Sequence, residues 1–209
     1  MLAIVDYGVG NLFSLRSSFA AIGSEAVATS DPEVIRRANG VILPGVGAFR
    51  DAAAKLRETG LWTVVRNEAS AGKPLLGICL GMQMLFEKSY EYGEYEGLGL
   101  IPGAVRPIAD VIPKDYKIPH IGWNALHLVK PSPIFSGIKE GDHVYFVHSY
   151  YAADCDEAVI ATTDYGAPLT AAVRRDNVMG CQFHPEKSGN VGLSILRAFV
   201  NFAEGGAAI

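Results

Sequence analysis

Cys79 lies in the run LLGICLGMQMLF (75–86), with Gly77 two residues before it and Gly81 two residues after. The spacing G-x-C-x-G matches the nucleophile elbow G-x-S-x-G, with a thiol in place of the hydroxyl. Such a thiol can attack an acyl carbon once a base has taken its proton. A lone cysteine in an apolar run is more often a small buried hydrophobe. The glycines argue against that role here, because a tight turn needs small neighbours and a side chain at Gly77 or Gly81 would crowd it. PLLGI reads as a buried strand after the breaker AGKP, and LGMQMLFEK reads as a helix. Cys79 is therefore predicted at a strand-to-helix turn, where a helix dipole and free backbone N–H groups favour a thiolate.

A thiolate needs a base, and five histidines are available: His120, His127, His143, His148 and His184. His184 stands out through its context, CQFHPEKS (181–188). An apolar strand is expected to end at Phe183, and Pro185 to hold the chain extended. Glu186 then projects to the same side as His184. A carboxylate beside an imidazole fixes its tautomer and stabilises the imidazolium. Alone, HPE reads as a polar turn after an edge strand. With a cysteine elbow in the same chain, it reads as base and orienter. An oxyanion needs donors too. One is the backbone N–H of Leu80, directly after the nucleophile. Alone, the loop LPGVGAF (43–49) reads as an ordinary turn; beside the elbow, Gly45, Val46 and Gly47 are expected to offer others, since glycines let backbone amides approach a ligand.

These residues must be held by a frame, and the first half of the chain supplies one. LAIVD (2–6) reads as a strand and NLFSLRSSFAAIG (11–23) as an amphipathic helix closed by Gly23. EAVAT (25–29) reads as a short strand. DPEVIRRANG (31–40) opens with Asp31 as N-cap and Pro32 at the first helical position. VILP (41–44) is a strand, and helical patterns run to Ser70. This β-α-β-α order predicts a parallel sheet with helices on both faces, a three-layer α/β/α fold. Residues 88–122, rich in Gly, Tyr, Glu and Pro, read as long loops. WNALHLVK (123–130), HVYFVHSYY (143–151) and EAVIATTD (157–164) read as strands. LTAAVRR (169–175) and VMGCQF (178–183) form a hairpin across Asp176–Asn177. SGNVGLSILRAFVNFAE (188–204) is a final amphipathic helix. With no repeat or linker, residues 1–209 are expected to form one domain. DYGVGNLF begins like a dinucleotide fingerprint at Gly8-x-Gly10, but Phe13 occupies the third glycine position and the match fails.

Composition narrows the classes. The chain has 209 residues, is 49% hydrophobic and 19% charged, which supports a packed core and excludes a disordered chain. A net charge of −4 without a basic run gives no support for nucleic-acid binding. No apolar stretch reaches the length of a membrane-spanning helix. The start MLAIVDYG lacks the basic residues of a signal peptide. Cys79, Cys155 and Cys181 show no C-x-x-C spacing and cannot all pair, which fits a reducing cytoplasm without disulfides or a zinc site.

GICLGMQ (77–83), HPE (184–186) and the PG-x-G loop together resemble the class I, or triad, glutamine amidotransferases. The resemblance covers nearly the whole chain. It implies a flavodoxin-like fold whose mostly parallel sheet carries an antiparallel extension. It implies a glutaminase that needs no metal or organic cofactor, with Cys79, His184 and Glu186 as the triad. Gln83 and the backbone near Gly47, Ser149 and Tyr150 would hold L-glutamine. IVDYGVGNLFSL (4–15), LPGVGAF, PHIGWN (119–124) and VYFVHSYY (144–151) are similar to the subfamily that serves histidine biosynthesis. Where other members more often carry PGG, this chain has PGVG. That likeness implies a heterodimer with a (β/α)8 barrel synthase (cyclase) subunit, which receives the ammonia and makes imidazole glycerol phosphate and AICAR. Asn11, Trp123, Tyr145 and Lys187 would lie where the two subunits meet. The PGVG loop, with glycines on both sides of Val46, is expected to rest with a carbonyl facing the site and to flip when the partner binds its acceptor. Two rivals make different demands. Peptidase-like relatives of this fold generally lack HPE after a late hairpin, and a non-catalytic relic is expected to lose a triad residue. A third, an amidotransferase with another acceptor, is opposed only by PHIGWN and DYGVGNL.

Overall fold

The computed structural model of the protein describes residues 1–205. Strand and helix alternate through the first half: β1 (Leu2–Val5), α1 (Leu12–Ala21), β2 (Ala26–Thr29), α2 (Pro32–Arg37) and β3 (Gly40–Leu43). Next come α3 (Phe49–Glu58), α4 (Leu61–Ser70), β4 (Leu75–Ile78) and the short α5 (Leu80–Gln83). The second half is mostly strand: β5 (Phe86–Ser89), β6 (Tyr95–Glu96), β7 (Ile101–Pro107), β8 (His120–Ala125), β9 (His127–Leu128) and β10 (His143–His148). It closes with β11 (Tyr150–Ala153), β12 (Val159–Asp164), β13 (Pro168–Arg175), β14 (Val178–Cys181) and α6 (Gly189–Ala203). Local signals set several boundaries. The Asn11 side chain accepts from the Ser14 N–H and caps α1. Asp31 accepts from the Glu33 N–H, with Pro32 opening α2 as expected.

The central sheet runs in the order β2-β1-β3-β4-β14-β13-β12-β9. From β2 to β14 neighbouring strands are parallel, and β13, β12 and β9 extend the sheet antiparallel. This is the expected mostly parallel sheet with an antiparallel extension. Alternation along each strand divides the core into two layers. Ala3, Val5, Val41 and Leu43 pack with Ile35 of α2, Phe49 and Leu56 of α3, and Val65 of α4. Leu2, Ile4, Ile42 and Leu76 pack on the other face with Leu15 and Phe19 of α1 and Ile195 and Phe199 of α6. Each fully buried side chain of this kind contributes about 1.5–3 kcal/mol of transfer free energy.

Several expectations need correction. The helix expected over LGMQMLFEK ends at Gln83, and Phe86 already begins a strand. Tertiary pairing overrides helix propensity there, because β5 runs parallel to β7 and Phe86 is fully buried. Residues 88–122 are not long loops. They hold β6, β7 and the first part of β8, with β11-β7-β5-β6 forming a separate sheet. Short, half-exposed strands paired to distant partners leave little periodicity to read. HVYFVHSYY is not one strand either. β10 pairs with β8, and after Ser149 the chain crosses to pair β11 with β7. WNALHLVK is likewise divided between β8 and β9, which lie in different sheets.

Candidate active site

The sheet order brings the two ends of the site together. β4 and β14 are parallel neighbours with Ile78 opposite Cys181, so Cys79 and the segment after Cys181 leave the sheet side by side. The Cys79 N–H donates to the Cys181 carbonyl at 2.7 Å. Cys79 has φ 54° and ψ −113°, a conformation that L-residues rarely adopt. Strain of this kind costs about 1–3 kcal/mol and persists only where the surroundings enforce it. Here they do. A Cβ at Gly77 would stand 2.7 Å from the Gly81 carbonyl oxygen, and one at Gly81 only 1.8 Å from the Leu43 carbonyl oxygen. The elbow is thus wedged against the end of β3 as well as folded tightly on itself.

His184 and Cys79 line the same cavity and act on each other electrostatically. His184 Nδ1 lies 2.8 Å from Glu186 Oε1, and both side chains are almost fully buried. The backbone between them is not extended, as Pro185–Lys187 forms a 3-10 turn with His184 at its start. The pair meets because the turn folds Glu186 back. Ser188 secures that turn. Its Oγ donates to the His184 carbonyl at 2.6 Å and accepts from the Tyr145 N–H at 3.0 Å. Burial pushes the His184 imidazole down, but the neighbouring Cys79 and the hydrogen bond with Glu186 outweigh it and hold the pKa raised to about 9. A group raised on folding binds its proton more tightly in the native state. Its stabilisation is therefore complete below the unfolded value of 6.5 and lost as pH rises through about 9. Denaturant midpoints of the wild type are expected to fall between pH 6.5 and 9 more steeply than those of Glu186→Gln. Parallel curves would show that the pair does not supply the shift.

Cys79 and His184 open on a cavity of about 420 Å³ that Val46, Gly47, Leu80, Gln83, Ser149 and Tyr150 also line. Gln83 Nε2 donates to the Tyr150 carbonyl at 3.1 Å and to Gln182 Oε1 at 3.0 Å. Gln182 Nε2 in turn approaches Cys79 Sγ at 3.8 Å. Gly45 is placed differently from Val46 and Gly47. It is buried, and a Cβ on it would stand 2.7 Å from the Gly81 nitrogen. The preceding carbonyl, of Pro44, accepts from the buried Tyr7 hydroxyl at 2.7 Å. Val46 and Gly47 are exposed, and Gly47 has φ +89° with open space around it.

Trp123, Tyr145 and Lys187 form one cluster beside this site. Trp123 is 53% exposed and packs edge-on to Tyr145, with Lys187 Nζ 5.7 Å from the Tyr145 ring centre. The Tyr145 carbonyl accepts from the His184 N–H, tying the cluster to the segment that carries His184 and Glu186. Asn11 is exposed and its side chain serves the cap of α1. Sequence reasoning missed Tyr7, Glu91, Tyr92, His148 and Gln182. Gln182 alone carried a signal, as a polar residue inside the apolar run before HPE. Cys155 and Cys181 are both buried, and burial pushes the Cys155 thiol up to about 11 and Cys181 up further. A larger cavity of about 840 Å³ between Leu128–Ser136 and the end of α6 contains none of the triad residues.

Residues 3–202 match the family model for glutamine amidotransferase class-I. The chain belongs to this family. The amidotransferase is 49% identical over 208 residues to imidazole glycerol phosphate synthase subunit HisH of Geobacillus thermodenitrificans (strain NG80-2), covering 98% of this chain and 97% of that one. It is 50% identical over 208 residues to the subunit of the same name from Geobacillus kaustophilus (strain HTA426), covering 98% of each. Among solved structures, a crystal structure of a glutamine amidotransferase aligns with TM-score 0.75 at 22% identity, over 97% of this chain and 98% of that one. PurLQS from Thermotoga maritima aligns with TM-score 0.74 at 20% identity, over 96% and 97% of the two chains. The two structural likenesses bear on the amidotransferase fold alone. No helix among the described residues of the amidotransferase is long and apolar enough to cross a membrane.

Proposed function

We propose that this amidotransferase is the glutaminase subunit of a cytoplasmic imidazole glycerol phosphate synthase, working as one domain over residues 1–209. The observation that carries the chemistry is the buried His184–Glu186 pair beside a cysteine on a strained elbow, with Cys79 and His184 lining one small-ligand cavity. The likeness over the full chain to relatives named as HisH subunits carries the choice of acceptor.

Cys79 thiolate attacks the side-chain amide carbon of L-glutamine, with the developing oxyanion facing backbone N–H groups at Leu80 and in the loop Gly45–Gly47. His184, held by Glu186, gives its proton to the departing ammonia. It then takes a proton from water, which attacks the thioester and releases glutamate. Gln83 and the backbone at Gly47, Ser149 and Tyr150 line the cavity where the substrate sits. Glutamine also carries an α-ammonium group, and Glu91 is the one carboxylate among the residues lining that cavity. Its Oε2 accepts from the Phe49 N–H at 2.6 Å, which fixes the side chain at the cavity wall. Glu91→Gln is expected to raise the KM for glutamine by about tenfold or more with kcat largely kept, since a charge-assisted hydrogen bond is worth about 1.5–3 kcal/mol. An unchanged KM in a steady-state titration would remove Glu91 from the substrate site.

The ammonia passes to a (β/α)8 barrel partner through the face that carries Trp123, Tyr145, Lys187 and Asn11. The exposed Trp123 supplies the aromatic anchor that such interfaces use. The oxyanion loop is the gate. Tyr7 and the elbow hold Pro44 and Gly45, while Val46 and Gly47 are exposed and a Cβ on Gly47 would meet nothing within 4 Å. The test is glutamate release by the purified chain, alone and with the barrel subunit and its ribonucleotide acceptor. A slow rate alone that rises strongly in the complex supports both the partner and the gate. A full rate from the isolated chain would exclude the gate, and no release under either condition would overturn the function.

A further inference from the structure

His120 opens β8 inside the PHIGWN stretch and takes no part in the chemistry described so far. It is fully buried, stacked between the rings of Phe146 and Tyr165 at centroid distances of 5.0 and 4.0 Å. Its Nδ1 lies 3.0 Å from His148 Nε2, on the strand paired with it. Its Nε2 lies 2.9 Å from the Asn124 side chain. His148 Nδ1 lies 2.8 Å from the Tyr150 carbonyl, which also accepts from Gln83 Nε2 at 3.1 Å. A line of contacts therefore runs from Asn124 to the wall of the glutamine cavity.

The direction of that line follows from counting protons. A carbonyl can only accept, so His148 must carry its proton on Nδ1. In a neutral His148, Nε2 is then a lone pair and needs a donor, which only His120 Nδ1–H supplies at that distance. His120 Nε2 in turn becomes an acceptor, so Asn124 must turn its NH2 group there and give up to water the exposed bond that Nδ2 makes to the Asp164 carbonyl at 3.1 Å; an exposed bond is lost in place of a buried one. The opposite tautomer of His148 would set a nitrogen lone pair against the Tyr150 carbonyl oxygen at 2.8 Å and release that carbonyl.

We infer that His120 is a positioning residue: it locks His148 in the Nδ1–H tautomer, and through it holds the Tyr150 carbonyl on which Gln83 hangs. Burial lowers both imidazoles, His148 to about 4, so the lock works between neutral rings. It also keeps positive charge off His148, which faces His184 across the cavity and would oppose its protonation. The role in glutamine binding rests on the glutaminase reading; the tautomer does not.

Two measurements on the full chain test this. Long-range proton–nitrogen correlation of ring-labelled histidines reads tautomers directly. His148 is expected as the Nδ1–H form from pH 6 to 8 in the wild type and to lose that preference in His120→Phe, which keeps the stacked ring without the donor. An Nε2–H or doubly protonated His148 in the wild type would overturn the inference. In the glutaminase assay with the barrel subunit and its acceptor, His120→Phe is expected to raise the KM for glutamine about tenfold with kcat within about twofold, the scale of one lost buried hydrogen bond. His120→Asn, whose amide nitrogen takes the place of Nδ1, is expected to restore it. Loss of kcat and stability at constant KM, or no rescue by asparagine, would make His120 a packing residue and overturn the inference. Wild type that releases no glutamate would sink the glutaminase reading, while the tautomer measurement would still decide the lock.

Discussion

Replacing Cys79 with alanine is expected to abolish glutamate release while leaving the fold and glutamine binding in place. No other nucleophile in the cavity can form a thioester: His184 is committed to Glu186, and Ser149 has no base within reach among the hydrogen bonds of the site. The loss should be at least about 10⁴-fold, the scale seen when a triad loses a member. Stability should barely change, because alanine inherits the same positive φ and the small side chain leaves little void. Cys79→Gly makes the sharper comparison. Glycine adopts φ 54° freely, so this variant is expected to be more stable than wild type by about 1 kcal/mol and equally inactive. Calorimetric titration with glutamine and thermal unfolding read the two effects separately. Measurable turnover by Cys79→Ala would mean that another group attacks the amide. A destabilised glycine variant would mean that the elbow holds no strain.

Gly81→Ala is expected to be the most damaging single methyl group in the chain. Its Cβ would lie 1.8 Å from the Leu43 carbonyl oxygen and 2.8 Å from the carbonyl carbon, and backbone offers no flexible end to move aside. Either the end of β3 or the elbow must shift, with a cost of more than about 3 kcal/mol. The same shift moves Cys79 away from His184 and disturbs the loop that follows Leu43, so activity should fall even in the fraction that remains folded. Gly47→Ala supplies the control, being strained by φ +89° but meeting nothing within 4 Å. It should cost about 1 kcal/mol. Equal denaturant midpoints for the two alanine variants would show that the contact between elbow and strand is not tight.

The legible parts of the sequence were those with local physical signatures. The glycines around Cys79 announced a turn because side chains there are sterically excluded, and the structure puts backbone at both positions. Asp31 and Pro32 announced a helix start because capping is a matter of adjacent residues. The alternating first half gave the parallel sheet. His184 and Glu186 were paired correctly for a partly wrong reason, since a 3-10 turn rather than an extended strand brings them together. What stayed hidden depends on distant partners. β5 to β7 take their identity from pairing across the chain and with β11, and nothing local distinguishes Phe86–Ser89 from a continuing helix. Glu91, Tyr92 and His148 reach the cavity only because those small sheets fold over it. Tyr7 meets Pro44 across 37 residues, a contact that a single sequence does not announce.

The position of β14 has a consequence for how the protein comes into being. The last strand to leave the ribosome is an interior one, inserted between β4 and β13. A nascent chain that has made everything up to Arg175 carries the nucleophile and most of the cavity wall but lacks the base and its carboxylate. Its β4 edge is still open, and pairing across about a hundred residues is slow relative to local folding. With the proposed triad, glutamine hydrolysis is expected only once β14 and the segment after it have been made. A chain broken off early is then expected to release no ammonia, and its unpaired β4 edge to favour aggregation.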